Sequence, residues 1–131
     1  MSQAGVGFAV FKSYIIYVKP IIELLEKLPI RSVCHITGGG FQENIPRAFG
    51  ENLCAVVKKS AIEIPPVFNL IAAEGKIPER DMFNTYNMGV GMCVITASDN
   101  ADEALRILKA SGENAAIIGE IKTGNSGVEF A

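Results

Sequence analysis

His35-Ile36-Thr37-Gly38-Gly39-Gly40-Phe41-Gln42-Glu43-Asn44-Ile45-Pro46-Arg47 sets three consecutive glycines between an apolar strand-like segment and a polar helix-like one. Three missing Cβ atoms allow positive φ angles and let a ligand come close to the main chain. Where a helix follows, its first N–H groups lack internal partners and its dipole favours negative charge. Phosphate is the usual biological occupant of such a turn. An ordinary strand-to-helix turn is the alternative that these residues alone leave open.

Working outward, Arg31–Ile36 reads as a buried strand that runs into the glycines, and a short helix from Gly39 or Gly40 follows, with Pro46 kinking it or opening its next turn. Upstream, Ile21, Leu24, Leu25 and Leu28 recur at helical spacing after Pro20, predicting a helix from about Val18 to Leu28. Downstream, Leu53–Lys58 is expected to be a strand, Pro65-Pro66 opens a helix that stops at Gly75, and Pro78 opens another through about Thr85. Val90–Ala97 has the continuous apolar character of a central strand. Ser98-Asp99 is expected to cap a helix whose inner face is Ala101, Ala104, Leu105 and Leu108, ended by Gly112. Ala115–Thr123 and Gly127–Ala131 read as two closing strands joined by a Gly124-Asn125-Ser126 turn. Strands and helices alternate, but the closing strand pair argues for an α+β fold, a mixed β-sheet layered with helices, over a purely parallel one.

A chain of 131 residues forms one domain with a real core. Its apolar fraction of 49% leaves little polar residue to cover a free surface, which suggests a hidden partner face. Twelve basic and 14 acidic residues are scattered, giving no electrostatic footprint for nucleic acid or anionic lipid. No stretch approaches the ~20 apolar residues of a membrane span. Lys12 follows the apolar Met1–Val10 run, the wrong order for a secretory signal, so a cytoplasmic location is expected. Cys34, Cys54 and Cys93 are odd in number and far apart, and read as reduced core thiols. Glu43 with Glu51, or Asp81 with Glu79, fit no compact metal site and read as exposed helix charge; no metal ligand set is expected. Phe8, Phe11, Tyr14 and Tyr17 recur at three-residue steps as a core stripe or a dimer face.

Set beside Phe83-Asn84-Thr85-Tyr86-Asn87-Met88-Gly89-Val90-Gly91-Met92, the glycine run resembles the C-terminal domain of aminoimidazole ribonucleotide synthetase, also called phosphoribosylformylglycinamidine cyclo-ligase. Ile16-Tyr17-Val18-Lys19-Pro20, Pro65-Pro66-Val67-Phe68, and Gly112-Glu113-Asn114-Ala115 through Ile118-Gly119 follow in that family's order, so the likeness covers roughly Tyr17 to Lys122. Residues 1–16 then form an atypical lead-in and 17–131 the cyclo-ligase C-terminal-like, substrate-binding domain. Two departures stand out: Ser13-Tyr14-Ile15 replaces the family's usual lead-in, and Met88 stands where the family often has cysteine.

The resemblance implies a cytoplasmic step of de novo purine synthesis, in which ATP activates the formyl oxygen of formylglycinamidine ribonucleotide and ring closure gives aminoimidazole ribonucleotide. ATP and Mg²⁺ would be bound mainly by a first domain that this chain lacks, leaving it inactive alone; a homodimer is the expected assembly. Thr37, Gly38, Gly39 and Gly40 would then cradle the ribonucleotide 5′-phosphate, with Asn44 and Arg47, one helical turn apart, facing the same ligand. His35 would donate to the anion or carry a proton, a strand histidine bonded to backbone being its alternative. No catalytic residue is assignable beyond His35. Asn87, Gly89 and Gly91 would line the groove against the absent domain, simple strand packing being the alternative. Two other readings remain: a sister ATP-dependent enzyme of the superfamily, such as the formylglycinamidine ribonucleotide synthetase or selenophosphate, thiamine-phosphate and hydrogenase-maturation enzymes, or a non-catalytic dimerising module.

Overall fold

The structure, a computed structural model, describes residues 6–7 and 16–131, with no side chains before Ile16. Phe8, Phe11 and Tyr14 of the aromatic stripe, and most of the 1–16 lead-in, lie outside the described residues. In chain order the elements are β1 (Val6–Gly7), α1 (Val18–Lys27), β2 (Ile30–His35), α2 (Gly40–Asn44), β3 (Leu53–Val57), α3 (Pro66–Gly75), α4 (Glu79–Thr85), β4 (Met92–Thr96), α5 (Ser98–Ala110), β5 (Gly119–Thr123) and β6 (Gly127–Phe130), with short 3₁₀ turns at Ile45–Ala48 and Lys59–Ala61.

The expected α+β class holds: helices are layered on two three-stranded sheets, ordered β1-β4-β2 and β5-β3-β6. The first is antiparallel throughout, with Cys34 opposite Cys93 and His35 opposite Met92. The second is mixed, since β5 runs antiparallel to β3 and β6 runs parallel to it.

The two closing strands therefore do not form the simple hairpin that the Gly124-Asn125-Ser126 turn suggested; they flank β3 on opposite sides. The expected strand from Ala115 shortens to Gly119–Thr123. Its first half follows no continuous ladder, and Ile118 instead gives its carbonyl to the Lys58 N–H at 2.7 Å. Gly119 lies so close to Val56 that a Cβ there would stand 2.1 Å from the Val56 carbonyl oxygen. Ser98 is the first residue of α5 and not its cap; Ala97 takes the N-cap place with no side-chain bond. The inner face of α5 is Ala101, Ala104, Ile107 and Leu108, with Leu105 only partly buried.

Two apolar clusters hold the layers together. The larger sits between the sheets and α2, α4 and β6, around Ile36, Phe41, Val57, Phe83, Val90 and Cys93. The smaller sits between β4, α1 and α5, around Leu24, Val94, Ala104, Ile107 and Leu108. Burial of each such side chain contributes about 1.5–3 kcal/mol against full exposure. All three cysteines are buried and unbonded to one another. Burial pushes the Cys34 thiol up to about 11 and Cys93 well above its ordinary value, so both stay protonated at neutral pH.

Where α5 ends, Glu113 carries a carboxylate oxygen that is buried with no hydrogen-bond partner among the described residues. Burial raises its pKa, and its charge in turn adds to the burial that raises Tyr17. A carboxyl whose folded pKa lies above its unfolded one stabilises the fold at acid pH and loses that contribution as pH rises through the folded pKa. Glu113→Gln is therefore expected to raise the melting temperature at pH 7 and to leave it nearly unchanged at pH 4. Melting curves at the two pH values check this, and a gain equal at both would remove Glu113 as the cause.

Candidate functional site

The glycine run bends as a tight turn. Gly40 N–H donates to the Thr37 carbonyl at 3.0 Å, and Gly39, at φ 90° and ψ −5°, has the angles that a type II turn demands of its third residue. Gly40 also has positive φ, 58°, and its Cα faces α4 so closely that a Cβ would stand 2.0 Å from the Phe83 carbonyl oxygen. Gly38 differs: nothing lies within 4 Å of where its Cβ would be. Among the described residues the N–H groups of Gly38 and Gly39 have no partner.

Asn44 holds this turn from below. It is 5% exposed, and its Nδ2 donates to the carbonyls of Gly40 at 2.8 Å and of Thr37 and Gly38 at 3.2 Å. Its Oδ1 accepts a long 3.4 Å bond from the Thr37 hydroxyl. The amide expected to meet a ligand is thus committed to the loop carbonyls, which makes Asn44 a positioning residue. α2 is fixed in turn by Phe41, whose ring meets Phe83 and Phe130 edge-on, and by Gln42, which donates to the Val128 carbonyl at 3.0 Å.

Along the free edge of β2, beside the 3₁₀ turn after α2, a depression of about 320 Å³ is lined by Cys34, His35, Thr37, Asn44, Arg47 and their neighbours. Four sequence-predicted residues come together there. Arg47 stays exposed, reaching Glu43 at only 3.9 Å, an ion pair weak enough for the guanidinium to exchange partners. Cys34 is no nucleophile in this setting: burial dominates its raised pKa and Arg47 only partly offsets it.

His35 is exposed and shared. On its other side lies an apolar groove of about 710 Å³, lined by Ile16, Tyr17, Ile22, Asn87, Gly91 and Met92 among others, with the Tyr17 ring edge-on to His35 at 5.8 Å. Asn87 and Gly91 share this groove, whereas Gly89 is buried against Pro65, where a Cβ would stand 2.4 Å from Cδ. Asn87 Oδ1 accepts the Gly89 N–H at 3.0 Å, shaping the turn before β4.

Sequence reasoning passed over two neighbours of the site. Glu43 folds its carboxylate over Gly39, into the space a Cβ would fill, and the four-residue helical interval between them was the available signal. Tyr17 packs on His35 through a contact between distant elements that no local spacing announces.

The family model for AIR synthase related protein, C-terminal domain, matches residues 8–130. The chain is similar to phosphoribosylformylglycinamidine cyclo-ligase of Caldicellulosiruptor bescii, 44% identical over 95% of this chain and 36% of that protein. It is also similar to the same enzyme of Bacillus cereus strain AH187, 45% identical over 98% of this chain and 37% of that protein. The chain thus spans little more than a third of the length of these curated relatives. Among solved structures it resembles E. coli HypE, a hydrogenase maturation protein, with TM-score 0.73 and 18% identity over 100% of this chain and 47% of that one. It also resembles thiamine-monophosphate kinase from Stenotrophomonas maltophilia, with TM-score 0.60 and 12% identity over 99% and 50%. Those two likenesses concern the fold alone. With nearly its whole length matched by the family model, the chain belongs to the family of AIR synthase related proteins, as their C-terminal domain.

Proposed function

We propose that this chain is the substrate-side domain of an ATP-dependent cyclo-ligase that closes formylglycinamidine ribonucleotide to aminoimidazole ribonucleotide in cytoplasmic purine synthesis. The observation that supports it is the depression on β2, where His35, Thr37 and Arg47 converge next to Gly38 and Gly39, whose N–H groups have no partner among the described residues. In this reading Arg47 gives its forked donor to the ribonucleotide phosphate and the Thr37 hydroxyl and glycine amides complete the cradle. His35 donates toward the ligand where the depression meets the apolar groove, and Asn44 keeps the loop in shape.

In this reading ATP and Mg²⁺ are bound mainly by the portion of the relatives that this chain does not match. Among the described residues no group of three His, Cys, Asp or Glu side chains comes together in a way that could hold a metal ion. In this reading no step of phosphoryl transfer falls to this chain, which alone binds substrate weakly and turns nothing over.

Titration with inorganic phosphate and with ribose 5-phosphate, followed by backbone amide NMR, tests the cradle. The Gly38 and Gly39 resonances are expected to move in both titrations. Arg47→Ala is expected to weaken ribose 5-phosphate about tenfold, the loss of one charge-assisted hydrogen bond. Gly38→Ala, whose methyl group enters open space, is expected to weaken it without changing the melting temperature. Shifts confined to other residues, or full affinity in Arg47→Ala, would sink the assignment.

A further inference from the structure

Glu43 brings a negative charge to the rim of the depression on β2. Its carboxylate lies over Gly39, where an added Cβ would stand 2.3 Å from Oε2 and 2.8 Å from the Glu43 Cβ. One turn on, Arg47 reaches the same Oε2 at 3.9 Å. Two successive four-residue intervals, Gly39 to Glu43 and Glu43 to Arg47, thus set glycine, carboxylate and guanidinium along one side of α2 and the 3₁₀ turn after it. Arg47 is the one ion-pair partner of that carboxylate among the described residues. Both side chains are well exposed, at 65% for Glu43 and 72% for Arg47, so neither charge is needed by the core.

The charge available to a ligand here is small. Among the described residues that line the depression, Arg47 alone carries a permanent charge, and Glu43 opposes it. The other donors are neutral: the Thr37 hydroxyl and the N–H groups of Gly38 and Gly39. One cation and a few neutral donors suit a single phosphate group. A chain of phosphates brings more negative charge than Arg47 compensates, and the Glu43 carboxylate repels each added charge.

We infer that Glu43 is a specificity residue of this site: its carboxylate turns the cradle against polyphosphates and leaves it selective for a ligand with one phosphate group. The inference rests on the phosphate cradle under Proposed function and adds which class of phosphate the cradle admits and what excludes the rest. In that reading the complete enzyme also takes ATP, and Glu43 keeps the triphosphate out of the substrate's place.

Glu43→Gln removes the charge and keeps the shape, and Glu43→Ala removes the side chain, so that agreement between them isolates the charge. Inorganic phosphate and inorganic tripolyphosphate are titrated at pH 8 and matched ionic strength, with the Gly38 and Gly39 amide resonances as the readout. The parent is expected to bind phosphate more tightly than tripolyphosphate. Both variants are expected to tighten phosphate about threefold and tripolyphosphate about tenfold, since the longer anion sets more charge within reach of the carboxylate. Glu120→Gln, on an exposed position of β5 in the other sheet, changes the net charge equally and is expected to move neither affinity. All three variants are expected to melt within about 2 °C of the parent, because an exposed pair of this length adds little to stability.

Equal tightening of both anions overturns the inference, since Glu43 would then only compete for Arg47. Weaker binding of both anions overturns it as well and makes Glu43 an orienting partner of that guanidinium. A parent that prefers tripolyphosphate does the same. Glycine resonances that follow phosphate alike in parent and variants would leave the cradle standing and sink the inference alone, whereas resonances that neither anion moves in any of these proteins would bring down cradle and inference together.

Discussion

Gly40→Ala is expected to lower the unfolding free energy by roughly 2–4 kcal/mol in a denaturant titration. About 1 kcal/mol comes from forcing a Cβ into the left-handed region at φ 58°. The remainder is overpacking, since the new methyl carbon would stand 2.0 Å from the Phe83 carbonyl oxygen. Relief by movement of α4 is blocked, because the Phe83 and Phe41 rings are both essentially unexposed and packed on each other at 5.2 Å. Gly38→Ala, two residues earlier and with open space beyond its Cα, is the internal control and should cost little. Equal stability of Gly40→Ala and the parent would show that the close approach of α2 to α4 carries no energetic consequence.

Asn44→Asp is expected to cost about 3–5 kcal/mol at neutral pH, although the side chains are nearly the same shape. The native Nδ2 serves three carbonyls, those of Thr37, Gly38 and Gly40. A carboxylate would place negative charge against all three oxygens in a site only 5% exposed, with no donor to offer. Protonation relieves part of this, because a carboxyl held in such a place binds its proton more tightly folded than unfolded. The deficit should therefore shrink as pH falls toward 4 and widen as it rises. Denaturant titrations at pH 4 and pH 7 read both effects; a deficit that does not depend on pH, or none at all, would mean that the loop carbonyls do not rely on Asn44.

Much of this architecture could be read from local chemistry. Pro20 in the first turn of α1, Pro66 opening α3 and Pro78 preceding α4 mark helix starts correctly, because proline's fixed φ and missing N–H suit that place. Long-range pairing was not legible. Nothing near Gly124 distinguishes a hairpin from two strands that separate to flank β3, since that choice is made by β3, far earlier in the chain. The short β1 was missed for the same reason, since it pairs with β4, far along the chain. At the site, spacing brought Asn44 and Arg47 to one depression, but the number of loop carbonyls within reach of Asn44 depends on how the glycines turn. Groove lining and strand packing were both open for Gly89, and the Pro65 ring packed against it could not be read from local sequence.

The placement of β3 between β5 and β6 also bears on how the protein is made. Both partners of that strand are synthesised late, after residue 118, so a nascent chain emerging at about 5–20 residues per second exposes β3 while the antiparallel sheet is already able to form. The β5-β3-β6 sheet therefore waits until the chain beyond residue 118 has been made. The Phe130 ring that closes over Phe41 and Phe83 emerges after both of them, so the glycine loop acquires its rigid backing only once β6 has been made.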